Sequence, residues 1–75
     1  MATAYVLMIV KPGTESDVAK KLVARKEVVD ISVVYGQYDL VMKVETPDMK
    51  SLQDFILGIR KDKNVENTTT MIAVK

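Results

Sequence analysis

Tyr35-Gly36-Gln37-Tyr38-Asp39-Leu40 crowds two phenols, an amide, a carboxylate and a glycine between two apolar runs. One reading of this stretch is a tight turn in which Gly36 supplies a positive φ and Asp39 bonds the turn backbone. The other is a small-ligand corner. Free N–H groups of the loop could hold a carboxylate while Asp39 pairs with an ammonium, and those are the two charged ends of an amino acid. Thr68-Thr69-Thr70 carries a similar ambiguity. Threonine suits a surface strand, so a plain ladder accounts for it. If the hydroxyls of Thr68 and Thr70 face an interface instead, they give short polar contacts in an otherwise apolar pocket.

Covalent and metal chemistry find little support. The sequence has neither His nor Cys, which removes imidazole and thiolate metal sites, disulfides and the commonest general base. Asp30, Asp39 and Glu45 are the acids near the turn, and no nucleophile is paired with a base. A carboxylate site for Mg²⁺ or Ca²⁺ lacks any supporting ligand spacing. The expectation is a protein that is not an enzyme and has no cofactor. Lys20, Lys21, Arg25 and Lys26 read as a solvated helix face, and 11 basic against 10 acidic residues leave a net charge of +1 without a basic block. That balance argues against direct nucleic-acid binding, which leans on clustered Lys and Arg. The apolar run at Met1 to Val10 is too short for a spanning helix and has neither a basic flank nor a cleavage site, so a cytoplasmic protein without membrane attachment is expected.

Six elements position these residues. Ala4 to Val10 is a short run rich in β-branched residues, closed by Pro12-Gly13, and apolar on both faces: Tyr5, Leu7 and Ile9 on one, Val6, Met8 and Val10 on the other. This predicts a central strand covered from both sides. Thr14 and Asp17 predict a capping box for a helix whose apolar side is Val18, Ala19, Leu22 and Val23. Val29, Ile31, Val33 and Tyr35 alternate with polar residues as a half-buried strand, and Leu40, Met42 and Val44 follow as its hairpin partner. Thr46-Pro47-Asp48 starts a second helix with the stripe Met49, Leu52, Phe55, Ile56 and Ile59. Val65 to Lys75 completes the set as a strand, with Thr68, Thr70, Ile72 and Val74 on one side and Thr69, Met71 and Ala73 on the other.

The order β-α-β-β-α-β is the ferredoxin-like plan, an α+β fold with a four-stranded antiparallel sheet and two helices on one face. Right-handed crossovers put the first and third strands in the middle. The helices cannot cover the far side of the first strand, and a contiguous apolar surface there marks an interface. A chain of 75 residues supports only about 3–5 kcal/mol of net stability from one core, so association is the expected reinforcement. RNA-recognition modules share the plan but stack bases on aromatics of the central strands, and the third strand, Leu40 to Val44, has none.

With these elements in place, Tyr35-Gly36-Gln37-Tyr38-Asp39-Leu40 after a β-branched strand, then an apolar helix and Val65-x-x-Thr68-x-Thr70-x-Ile72 ending at Val74-Lys75, resembles the effector-binding domain of the leucine-responsive regulatory protein/AsnC (Lrp/AsnC) family. The likeness covers nearly the whole chain. Family members usually carry a helix-turn-helix domain ahead of this one; residues 1–75 look like the stand-alone form, the RAM module. The resemblance implies a dimeric α+β barrel formed by pairing of sheets, assembling further to an octamer or decamer with an amino-acid effector between dimers. It places Gly36, Gln37, Tyr38 and Asp39 at the ligand site, with Thr68, Thr70 and Ile72 contributed from a neighbouring dimer. Asp39 would take the amino group, and the loop backbone with the threonine hydroxyls the carboxylate. Transcription regulation through a full-length regulator of the same family is the implied role. Two rival readings are a structural assembly module without a ligand and a small dimeric α+β barrel enzyme. The latter calls for a deep pocket between sheet and helices, lined by Tyr35 or Tyr38.

Overall fold

Alternation of side chains along extended backbone builds the centre of the molecule. The computed structural model describes residues 1–74, so Lys75, which the sequence assigns to the last strand, lies outside the described residues. The elements run β1 (Ala2–Val10), α1 (Glu15–Val23), β2 (Val28–Val33), β3 (Leu40–Thr46), α2 (Met49–Arg60) and β4 (Val65–Ala73). They form one antiparallel sheet in the order β2-β3-β1-β4. The ferredoxin-like arrangement expected from the sequence is therefore present, with β1 and β3 central.

Ala2, Ala4, Val6, Met8 and Val10 of β1 face the helices and are buried. The register Val6↔Met42 and Met8↔Leu40 sets the large side chains of the two central strands beside one another. Val18 and Leu22 from α1 and Leu52, Phe55, Ile56 and Ile59 from α2 close over them. Met8, Leu40, Met42 and Leu52 are among the largest fully buried side chains, so the layer between sheet and helices is filled with apolar atoms. The guanidinium of Arg25 lies over the Phe55 ring at 4.9 Å from its centroid, joining the end of α1 to α2. Neither helix is long and apolar enough to cross a membrane.

Helix starts depart from expectation at one end and meet it at the other. Thr14 precedes α1 but makes no side-chain cap; its hydroxyl donates back to the Lys11 carbonyl at 2.6 Å, so the predicted box with Asp17 does not form. Asp48 caps α2 by accepting from the Ser51 N–H at 2.8 Å, and the Thr46 hydroxyl donates to the Asp48 carbonyl at 2.7 Å. The β2 pattern is also interrupted. Its register shifts between Val28 and Asp30, which turns Val29 out to solvent and leaves Val28 and Ile31 as the residues packed on the core. β2 ends at Val33, and Tyr35 is fully exposed in the loop beyond it.

The opposite face of the sheet is uncovered. Register places Tyr5, Leu7 and Ile9 of β1, Val41, Lys43 and Glu45 of β3, and Thr69 and Met71 of β4 on this side, with Lys43 and Glu45 paired at 3.8 Å. Tyr5 is 40% and Met71 53% exposed in one chain, while Leu7, Ile9 and Val41 are half-buried only by their neighbours.

Candidate ligand site

The β2–β3 connection is wider than a two-residue hairpin turn. It spans Val34 to Asp39 and is closed by the Val34 N–H donating to the Asp39 carbonyl at 2.9 Å. Gly36 sits at φ +132°, a conformation that side chains disfavour, although a Cβ there would meet nothing within 4 Å. The glycine answers a backbone requirement, as the turn reading held. Asp39 does something other than bond the turn. Its N–H donates to the Met8 carbonyl at 2.8 Å, and its Oδ2 accepts from the Val10 N–H at 3.0 Å, so it secures the end of β1. Tyr38 reaches across the uncovered face: its hydroxyl and that of Thr69 are 3.3 Å apart. Gln37 is exposed.

Thr68, Thr70 and Ile72 occupy the other side of β4. They pair with Met8, Val6 and Ala4, all of which point at the helices, so alternation turns these three toward α2. The Arg60 Nε–H donates to Thr68 Oγ1 at 2.9 Å. Thr70 Oγ1 is buried and has no hydrogen-bond partner among the described residues. A cleft of about 360 Å³ runs between α2 and β4, with Gln53, Arg60 and Thr70 as its polar side chains and Met49, Leu57 and Ile72 among its apolar ones. A second cleft of about 230 Å³ adjoins it, where Arg60 meets Glu66 and Thr68.

Within one chain, then, the residues singled out from the sequence form two groups. Gly36 to Asp39 lie at the end of the hairpin, with Tyr38 on the open face; Thr68, Thr70 and Ile72 line the groove against α2. Neither groove cleft includes a residue of the turn. A ligand touching both groups would need them from different chains. Arg60 was not singled out by sequence reasoning, because a basic residue in the last turn of a helix reads as ordinary complement to the dipole. Its position eight residues before Thr68, across a short reversal, is the signal that puts it beside β4.

Residues 3–75 match the family described as the Lrp/AsnC ligand binding domain. The HTH-type transcriptional regulator FL11 of Pyrococcus furiosus is 39% identical over 72 residues, covering 96% of this chain and 48% of FL11. This chain thus spans about half the length of the curated relatives it matches. The crystal structure of FFRP-DM1 is 48% identical and superposes with a TM-score of 0.97 over 99% of this chain and 100% of that one. The Neisseria meningitidis transcriptional regulator NMB0573, solved as a complex with L-Met, shares the fold at 17% identity and a TM-score of 0.89, over 99% of this chain and 50% of its own. With the match extending over nearly its full length and the sheet order, turn and groove as described, the chain belongs to the Lrp/AsnC ligand-binding domain family.

Proposed function

We propose that this chain is an amino-acid-responsive assembly module acting in transcription regulation. Two copies pair through their uncovered sheet faces, and dimers associate into octamers or decamers with the effector held between them. The observation that carries this reading is the open face itself: Tyr5, Leu7, Ile9, Val41 and Met71 make a contiguous apolar surface that the two helices leave bare. The turn from Gly36 to Asp39 stands at one end of that face, where a dimer would present it to a neighbour. Thr68, Thr70 and Ile72 of an adjoining dimer complete the site. Asp39 takes the effector's ammonium, and loop N–H groups and threonine hydroxyls take its carboxylate. A full-length regulator of the same family, joined through the same sheet face, is the partner through which the module reaches a promoter, without contacting DNA itself. The effector shifts assembly only as far as it binds one state more tightly than the other.

Support comes from the relatives named as transcriptional regulators and from the L-Met complex of the Neisseria protein. Light scattering combined with calorimetric titration of the twenty amino acids tests the reading. A change in mass with at least one amino acid binding below millimolar is expected; a well-behaved monomer at micromolar concentration that binds none would sink it. One observation favours the rival reading, a structural module without a ligand: Oδ2 of Asp39 is already engaged with the Val10 N–H. Asp39→Asn separates the two, since the amide oxygen can still accept from Val10 while the charge is gone. Weaker effector binding with assembly retained supports an effector site.

A further inference from the structure

We propose that Arg60 joins the loop N–H groups and threonine hydroxyls in holding the effector's carboxylate, supplying their one positive charge, and that the cleft beside it selects amino acids with an apolar side chain. The proposal rests on the effector site described above and names the charge and the side-chain class that site accepts. Four observations meet at one place. Arg60 is anchored by its Nε–H to Thr68 Oγ1 at 2.9 Å, which fixes the plane of the guanidinium and leaves the terminal N–H groups for another acceptor. Its charge is not neutralised: no carboxylate among the described residues lies within ion-pair distance of it, Glu66 in the adjoining cleft included. The Thr70 hydroxyl, on the wall of the same cleft, has no hydrogen-bond partner among the described residues, and its oxygen is enclosed, so an occupant reaches it only after the side chain turns about its Cα–Cβ bond. Beyond these polar groups the cleft is mostly apolar, with Met49, Leu52, Ile56, Leu57 and Ile72 on its walls and the Gln53 amide among them.

A planar fork with its terminal N–H groups free is matched by a carboxylate, which takes two parallel N–H bonds from it, and an O–H bond from Thr70 once that side chain has turned. The remainder of the occupant then lies along methylene and methyl groups. At about 360 Å³ the cleft is at the small end of ligand sites, which run from ~300 to ~1,000 Å³, so a single amino acid is the scale of molecule it suits. A second charged end would lie against Leu57 and Ile72 with only the neutral Gln53 amide to bond it, a cost that discriminates against Asp, Glu and Lys. Apolar residues offered to solvent on an edge strand, with Ile72 47% exposed, also fit a site that is finished by another chain.

The test uses calorimetry on the intact oligomer with L-leucine, L-methionine, L-aspartate and L-lysine, and with leucinamide and methioninamide, which keep the side chain and lack the carboxylate charge. Expected are binding of leucine or methionine, weaker binding of aspartate and lysine, and loss of affinity for the amides. Arg60→Gln is expected to weaken the bound amino acid by roughly 10- to 100-fold, the range of a charge-assisted hydrogen bond, with Arg60→Lys recovering part of it. Lys61→Gln, outside the cleft, should bind as the parent does. Circular dichroism melts check that Arg60→Gln remains folded; should it not, the amide comparison on the parent protein decides alone. If an amino acid binds but Arg60→Gln and the amides bind equally well, or if aspartate or lysine binds tightest, the assignment of Arg60 and its cleft is overturned while the effector site stands. If no amino acid binds the parent protein, both are overturned.

Discussion

At the scale of single residues, Asp39 carries two demands that can be pulled apart. Its Oδ2 holds the Val10 N–H at 3.0 Å, and a half-buried N–H left without its charged acceptor costs about 1–3 kcal/mol. Asp39→Ala is therefore expected to lower the thermal midpoint, whereas Asp39→Asn should restore most of it; equal midpoints for the two variants would mean that the Val10 bond contributes nothing. The helix cap is a second residue with a measurable signature. The Ser51 N–H bond, then the Ser51 hydroxyl and the charge of Lys50, hold the Asp48 carboxyl below its ordinary value of 3.8, and the Asn64 N–H and Lys21 do the same for Asp62. A folded-state value below the unfolded one means that both contributions are complete above 3.8 and disappear as the pH falls from there through the lower folded value. Asp48→Asn keeps an acceptor for Ser51 but cannot titrate. Thermal melts between pH 5 and pH 3 should thus show a smaller loss for Asp48→Asn than for the parent, and parallel losses would remove Asp48 from the acid response.

At the scale of elements, the two helices touch loosely in one place. Gly58 lies within α2 beside Val18 and Leu22 of α1, at a groove that also includes Lys21 and Asp62, and a Cβ there would meet nothing within 4 Å. A glycine in a helix interior costs conformational entropy that alanine does not, so Gly58→Ala should gain about 0.4–1 kcal/mol, read as a rise of a few degrees in melting temperature. A fall would show that the groove is filled by something that Cβ displaces. The elements themselves were legible where a periodic apolar pattern had one face to satisfy. Of the α2 stripe, Leu52, Phe55, Ile56 and Ile59 are buried while Met49, in the first turn, is exposed, and β1 is central as its two apolar faces implied. Local alternatives were not legible. The Thr14 hydroxyl donates back to the Lys11 carbonyl rather than capping α1, while Val29 was displaced from its alternation by one extra residue in β2. Among the candidate residues, the turn and the threonines stood out because glycine, aromatics and hydroxyls are conspicuous between apolar runs, and the structure sets them in two separate groups within one chain. Arg60 could not, because only the reversal from α2 into β4 sets it 2.9 Å from Thr68.

At the scale of the whole molecule, the question is which surface carries assembly, and Leu7 is placed to answer it. It sits at the centre of the uncovered face, with Val41 beside it on β3 and Thr69 on β4, where the Tyr38 hydroxyl reaches over. A lysine at this position costs little in an isolated chain, because its ammonium extends into water. In a dimer closed over the same face the charge would be buried without a partner, at a cost of several kcal/mol per ion. Leu7→Lys should therefore abolish pairing, and with it every larger assembly, so that light scattering returns the mass of one chain. A core this small supplies only about 3–5 kcal/mol alone, so the separated chain should also melt far lower than the parent, whose midpoint should rise with protein concentration as that of an associating species does. Val23→Lys is the control: Val23 is more exposed still, at 59%, but lies on α1 away from the sheet face, and its substitution should leave mass and melting unchanged. The effector site proposed above lies apart from this face, at the hairpin end and in the β4 groove, so on that proposal Arg60→Gln should leave the dimer intact and alter only how dimers respond to an amino acid. Retention of parental mass by Leu7→Lys would show that the bare face is not the pairing surface, and the division of labour between face and groove would have to be redrawn.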